Sequence, residues 1–215
     1  TLYTKAKYAE AKCPAGYMCT KISFKDNSWA TIAANVKAGK ASAYQVGDTK
    51  TVDMGSLGTH TVRVANTSEC TNGETSETAC GFVVEFADII IQLPMNSSAT
   101  NENGWPASSM RTYVNSTVYN ALPSDLQNII TETLVISGHG SSDSSNFSST
   151  DKLYFLSAQE VWDRSDYTAD TANGTTRQLD YYADEGVTHS NYSGAIKQSN
   201  GTNFSWWLRS AEPLY

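Results

Sequence analysis

Residues 104–137, GWPASSMRTYVNSTVYNALPSDLQNIITETLVIS, have the clearest helical periodicity in the chain and predict the helical part of its fold. A four-residue apolar repeat predicts a helix with one buried face. The residues of this repeat are Met110, Val114, Val118 and Leu122. Pro106 is tolerated in the first turn of such a helix. Pro123 ends it, and Ser124 is the expected N-cap of a second, shorter helix.

Upstream of this stretch, the sequence predicts two paired strands. Apolar and polar residues alternate over residues 60–65 and again over residues 82–86, which is typical of half-buried antiparallel strands. We expect a disulfide between Cys70 and Cys80 to staple the long connection between them. The continuous apolar run 89–91 predicts a stretch buried on both faces.

Downstream, three shorter signals complete the fold class. Residues 152–156 predict a strand, and the S-x-x-E spacing of Ser157 and Glu160 predicts a capping box for a short helix. Residues 205–210, SWWLRS, predict a buried strand. Together with the two helices predicted within residues 104–137, these signals predict an α+β protein with antiparallel sheets and a few short helices.

Four cysteines lie in two close pairs, Cys13 with Cys19 and Cys70 with Cys80. Four cysteines allow three pairings, and short loops favour the two local ones. The spacing lacks the close C-x2-C pairs typical of zinc sites. Structural disulfides imply an oxidising compartment, so we expect an extracellular protein.

Composition and charge argue against some classes of binding partner. The chain has 215 residues and a net charge of -7, with +5 on residues 1–50 and -12 on the remainder. An acidic body without a basic stripe argues against nucleic acid, and no apolar run is long enough to span a membrane. We expect residues 1–21 to form a helical segment with a disulfide-closed turn that is able to mediate self-assembly, and residues 22–215 to form a single α+β domain.

Three motifs in this order carry a family resemblance: GWPASSMRTYVN (104–115), DKLYFLSAQEVW (151–162) and WWLRS (206–210). They resemble a domain family of unknown function found on surface proteins of gut-dwelling Gram-positive bacteria. That family is distantly similar to C-type-lectin-like folds, including the formylglycine-generating enzymes, and the resemblance implies such a fold here. Family members continue past the WLRS strand, which implies that this chain is truncated at its C-terminus.

Reactive and metal-binding candidates cluster in the Ser-rich loop after residue 137. Ser137, His139 and Asp143 are the residue types of a catalytic triad, but no nucleophile-elbow motif frames them. Asp143, Asn146 and Asp151 supply the oxygen ligands that calcium prefers, without EF-hand spacing. Calcium is the only cofactor that the sequence suggests, and a solvated polar loop is the alternative.

Aromatic residues are the candidates for ligand contact, because their flat rings stack on apolar faces of a sugar. The ring candidates are Trp105, Tyr181, Tyr182 and Tyr192. We assign Trp206 and Trp207 to the core instead, as part of the predicted buried strand. Arg209 is expected to be a structural ion-pair partner, with Asp180 as one acidic residue that would serve.

These observations predict a non-catalytic module on the bacterial cell surface, for adhesion or for binding a surface ligand, either glycan or protein. One alternative is a pilin-like structural subunit of a surface appendage, assembled through residues 1–21. A second is an enzyme of the formylglycine-generating type, although that chemistry needs paired reactive thiols late in the fold.

Overall fold

The computed structural model describes residues 23–162 and 170–211. Over these residues the protein has an α+β fold with small antiparallel sheets and short helices, as predicted. The predicted N-terminal helix and the Cys13–Cys19 pair lie outside the described residues. Nowhere in the described ranges is a helix both long enough and apolar enough to cross a membrane.

The strands form three sheets. The first has the order β1-β2-β3, with β1 at Thr49–Asp53, β2 at Thr59–Asn66 and β3 at Val83–Phe86. The other two are hairpins: β4 (Thr133–Ser137) with β5 (Phe147–Asp151), and β6 (Lys197–Ser199) with β7 (Thr202–Phe204).

The helices are short. Their bounds are α1 Trp29–Lys37, α2 Gly104–Ala107, α3 Ser109–Tyr113, α4 Tyr119–Ala121, α5 Ser124–Gln127, α6 Ala158–Val161 and α7 Asp180–Asp184. Helix α1 begins at a serine N-cap, because the Ser28 hydroxyl accepts a hydrogen bond from the Thr31 N–H. Gly39, with a φ of 72°, follows the end of α1 in the left-handed conformation that glycine adopts easily.

The first sheet confirms the predicted strand pair and its staple. Strand β2 pairs antiparallel with both neighbours. The connection to β3 is closed by the Cys70–Cys80 disulfide, whose Cα atoms are 4.9 Å apart. Because β2 is central in its sheet, its second half is buried on both faces, including the charged Arg63.

The helix predicted from the Met110–Leu122 repeat, which we call the organising helix, contains a π-helical turn that the spacing of its apolar residues explains. Helices α3 and α4 are joined by one π-helical turn, Val114–Val118, into a nearly continuous helix. An apolar residue at every fourth position drifts about 40° per step around an α-helix, since 3.6 residues make one turn. The wider π turn offsets this drift. Accordingly, all four residues of the predicted repeat are buried: Met110, Val114, Val118 and Leu122.

Buried apolar side chains form two clusters. The larger one packs α1, the first sheet and the organising helix around residues such as Trp29, Val64 and Trp105. The smaller one lies under α6 and α7, around Leu179 and Tyr182. The side chains of Trp206 and Leu208 pack against this second cluster.

Three predictions about strands are wrong. Residues 152–156 are not a strand, because the pairing with β4 is made by residues 147–151 instead. The run 89–91 is not buried on both faces, since Ile91 is 41% exposed. Residues 205–208 continue beyond β7 without strand pairing, and Trp207 is 52% exposed.

Candidate ligand-binding surface

The C-terminal half of the WWLRS motif builds a buried ion pair. Arg209, 2% exposed, binds Glu160 through both terminal nitrogens, at 2.6 Å from Nη1 to Oε2 and 2.6 Å from Nη2 to Oε1. Its other N–H groups donate to the carbonyls of Ile136 and Phe155 and to the Thr78 hydroxyl. All five guanidinium N–H groups are therefore satisfied. The prediction that Asp180 would serve as the acceptor of Arg209 is wrong, because Asp180 binds Arg177 instead, at 2.7 Å.

Glu160 has two structural roles. As predicted, it forms a capping box with Ser157 at the start of α6. Thr78 and Thr176 also donate hydrogen bonds to its carboxylate. Burial acts to raise the pKa of Glu160, but the charge and hydrogen bonds of Arg209 outweigh it, so the pKa is lowered. The carboxylate is thereby kept ionised inside the protein.

The GWPASSMR motif has a comparable structural centre at Asp151. This buried carboxylate accepts from the Trp105 indole N–H at 3.0 Å and from Arg111 Nε at 2.7 Å. The Ser149 hydroxyl donates to it as well, at 2.7 Å. The motif therefore joins the organising helix to β5 through one carboxylate.

A third charged cluster lies between β2, β3 and β6. Glu85 accepts from Arg63 Nε at 2.8 Å and from Lys197 Nζ at 2.8 Å, and the Tyr182 hydroxyl donates to it at 2.9 Å. The Arg63 guanidinium also stacks on the Tyr181 ring, 3.6 Å from its centroid. This network fixes β6, which carries Lys197, against the first sheet.

The pKa values of both Glu85 and Lys197 are lowered in this third cluster. Burial would raise the pKa of Glu85, but Lys197 and Arg63 together lower it. The pKa of Lys197 is lowered, first by burial and then by repulsion from Arg63, which together exceed the attraction of Glu85. Two cations thus share one carboxylate, whereas Glu160 and Arg209 form a balanced pair.

The N-terminal half of WWLRS points partly to solvent. The Trp206 ring is half-buried and lies 5.0 Å from Lys197 Nζ. Trp207 is exposed, yet its indole N–H donates to the Leu93 carbonyl at 3.0 Å. An exposed ring held by a hydrogen bond is restrained in orientation.

The β6–β7 hairpin extends this exposed face. Its turn is Asn200–Gly201, with φ values of 49° and 78°, the conformation that the primed two-residue hairpin turns require. Lys197 faces the interior, so alternation places its neighbours Ile196 and Gln198 on the solvent face. Gln198 lies directly opposite Asn203, and its Nε2 donates to Asn203 Oδ1 at 2.8 Å.

Segment 89–93 borders this face, because the Ile89 N–H donates to the Gln198 carbonyl at 2.9 Å. Ile91 and Leu93 on this segment are exposed. We name the combined face the Trp207 surface. Its residues are Ile91, Leu93, Ile196, Gln198, Asn203 and Trp207.

Most of the aromatic residues predicted to contact ligand lie elsewhere. Trp105 and Tyr182 are buried and hydrogen-bonded, so neither can stack on a ligand, which corrects that prediction. Tyr181 has one ring face covered by Arg63. Tyr192 is 60% exposed and lies four residues before Ile196.

The residues suggested for calcium are divided between two places. Asp151 is occupied by Trp105, Arg111 and Ser149, as described above. Asp143 accepts from the Asn103 N–H, while Asn146 bridges His139 and Thr171. Within residues 23–162 and 170–211, no group of three or more His, Cys, Asp or Glu side chains could hold a metal ion.

The residue types of a triad are not assembled into one. Ser137 is fully buried and its hydroxyl has no hydrogen-bond partner. His139 Nδ1 contacts the carbonyl of Gly140, not a carboxylate.

Fold and motifs together define a disulfide-stapled α+β domain whose motif residues mostly build its interior. The chain belongs to a family described as a domain of unknown function, DUF6273, which matches residues 84–215. All three motifs lie in the matched region, whereas β1 and β2, which complete the first sheet, precede it. No curated protein and no solved structure matches the chain.

Sequence reasoning missed Gln198 and Asn203 and assigned Trp207 to the core. The signal that could have found the hairpin is the Asn200–Gly201 dipeptide, which is the strongest short-range indicator of such a turn. Counting alternate residues outward from that turn places Gln198 and Asn203 on one face.

Proposed function

We propose that this domain is a binding module of the extracellular bacterial surface, with the Trp207 surface as its contact site for adhesion to an uncharged ligand. The observation that carries the proposal is the exposed, hydrogen-bonded indole of Trp207. A restrained aromatic ring loses little conformational entropy on binding, which makes it an efficient contact residue.

The composition of the surface supports an uncharged ligand. Its members are three aliphatic side chains, two amides and one indole, and none of them carries a formal charge. The nearby charges of Glu85, Arg63 and Lys197 are buried and paired with one another. Charge therefore cannot provide much of the attraction, and stacking, apolar contact and hydrogen bonding have to provide it.

The extracellular location is supported by the Cys70–Cys80 disulfide, because such bridges persist in oxidising compartments. It is also supported by the resemblance of the motifs to domains of bacterial surface proteins. The disulfide fixes the loop that brings Thr78 to the Glu160–Arg209 pair, so it acts as a structural bridge.

The two alternative functions depend on residues outside the Trp207 surface. A pilin-like role depends on residues 1–21, which lie outside the described residues. Formylglycine-type chemistry requires reactive thiols, and the two cysteines of the described residues, Cys70 and Cys80, are joined to each other. The Trp207 surface favours the binding module over both.

The experiment is a binding screen of the purified chain on printed arrays of neutral oligosaccharides, acidic oligosaccharides and peptides. We expect signals that Trp207→Ala abolishes and Trp207→Phe partly retains, because phenylalanine keeps a ring. Leu134→Ala is the matched control, since Leu134 is an exposed apolar residue on β4. Signals that survive Trp207→Ala would refute the proposed contact site.

A further inference from the structure

The side-chain amides of Gln198 and Asn203 form a pre-arranged pair on the Trp207 surface. Both residues are exposed, and they lie opposite each other in the β6–β7 register. Their mutual hydrogen bond, 2.8 Å from Gln198 Nε2 to Asn203 Oδ1, holds the two amide groups together. Since each amide carries an acceptor oxygen and two donor hydrogens, the pair keeps Gln198 Oε1 as an acceptor and Asn203 Nδ2 as a donor.

An acceptor and a donor held in one amide pair match a particular ligand chemistry. Two neighbouring hydroxyl groups can donate one hydrogen bond to Gln198 Oε1 and accept another from Asn203 Nδ2. A carboxylate or phosphate could use only the donors, and it would face Gln198 Oε1 without a proton to share. An ammonium group could use only the acceptors. The pair therefore suits a ligand that both donates and accepts. Neutral sugars and peptide groups both do so, and the exposed indole of Trp207 favours a sugar, whose apolar face stacks on a flat ring.

Trp207 lies within reach of the same ligand. Because an extended chain spans at most about 3.3–3.6 Å per residue, the Cα atoms of Asn203 and Trp207 are no more than about 14 Å apart. The Trp207 indole N–H donates to the Leu93 carbonyl, and the Ile89 N–H of the same segment donates to the Gln198 carbonyl, so the indole and the hairpin both adjoin residues 89–93. A short oligosaccharide can thus contact the amide pair with one ring and stack another ring on the indole.

We propose that the Trp207 surface recognises a neutral oligosaccharide, whose vicinal hydroxyls bind the Gln198–Asn203 amide pair while an apolar ring face stacks on Trp207. This inference rests on the proposed binding function and adds the chemical class of the ligand. Leu93 adjoins the indole through its carbonyl, and the exposed side chains of Ile91 and Leu93 supply apolar surface on the same segment.

The test is a calorimetric titration with the strongest neutral oligosaccharide from the array, using the whole chain. Gln198→Ala and Asn203→Ala are each expected to weaken binding at least tenfold, and Trp207→Ala to remove it. Asn120→Ala is the matched control, because it deletes an exposed amide on α4, and it should leave the affinity unchanged.

The outcomes separate this inference from the proposed function. Neutral-sugar binding that needs Trp207 but is unaffected by both amide variants overturns the amide-pair inference and leaves the contact site standing. Binding of peptides alone, again through Trp207, overturns the neutral-oligosaccharide class only. Binding of acidic sugars alone through Trp207 overturns that class and the uncharged ligand of the proposed function, and it leaves the contact site standing. No binding on any array, or binding indifferent to Trp207, overturns both.

Discussion

The two ends of the five-residue WWLRS motif occupy opposite environments. Arg209 is buried and binds Glu160 with all of its N–H groups used. Trp207, two residues earlier, is half exposed and uses only its indole N–H. One short motif therefore fixes the fold at one end and presents a rigid ring to solvent at the other.

This comparison shows that residues of one motif need not share one role. In this chain, the motif residues that pair charges or donate to buried carboxylates are Trp105, Arg111, Asp151, Glu160 and Arg209, and all of them are structural. The binding contacts that we propose come instead from Trp207 and from the less regular hairpin before it. Four measurements test this division of roles.

The largest effect is expected at the Arg209 end. Arg209→Met leaves the Glu160 carboxylate buried without its cation, which costs about 3–5 kcal/mol of unfolding free energy. Urea unfolding measures this loss. The double variant Arg209→Met with Glu160→Met should recover part of it, because no buried charge then remains unpaired. A single-variant loss below about 1 kcal/mol, within the range of exposed pairs, would contradict the structural role.

The second effect concerns the disulfide. Replacing Cys70 and Cys80 together by serine should lower the unfolding free energy by about 2–4 kcal/mol, because the unfolded chain regains the freedom of the closed loop. Thermal unfolding of this double variant against the wild type under non-reducing conditions measures the loss. An unchanged midpoint of thermal unfolding would show that the disulfide does not stabilise the loop that carries Thr78.

The third effect is acid sensitivity. The folded-state pKa values of Glu85 and Glu160 are lowered from the ordinary value of 4.5. Their stabilisation is therefore complete above pH 4.5 and is lost as the pH falls through the lower, folded-state values. Urea unfolding between pH 7 and pH 3 should show this decline, with a shallower slope in Glu160→Gln. Equal slopes in the wild type and in Glu160→Gln would show that Glu160 does not contribute to the loss of stability in acid.

The smallest effect on stability is expected at the Trp207 end. Trp207→Ala removes a half-exposed ring from a site outside both buried clusters, so we expect a loss of about 1 kcal/mol or less, far below the cost of emptying a core site. Trp105→Ala is the contrast, with an expected loss of about 3–5 kcal/mol because that ring is buried. Similar losses in the two variants would place Trp207 in the core.

Much of the fold follows from local signals that tertiary contacts leave intact. The Met110–Leu122 repeat, the Ser157–Glu160 capping box and the stapled β2–β3 pair were all predictable, because each depends on residues close in sequence or on simple alternation. The choice of Glu160 as the partner of Arg209 was not predictable, since 49 positions separate the two residues.

The errors share a physical cause. Apolar runs such as 89–91 and the WW pair predict burial, but local sequence cannot tell a buried run from one that faces solvent on a finished surface. Conversely, the polar hairpin around Asn200 has too few apolar residues to show a strand period, although its turn dipeptide is specific. The candidate site therefore emerged only once the strands were placed.

Nuclear magnetic resonance reports residue by residue whether Trp207, Gln198 and Asn203 contact ligand. Titration of nitrogen-15-labelled protein with a neutral oligosaccharide from the array should shift the indole N–H signal of Trp207 and the side-chain amide signals of Gln198 and Asn203. The buried indole of Trp105 should stay unmoved. Shifts concentrated elsewhere, with these three side chains unchanged, would contradict the assignment of the Trp207 surface as the binding site.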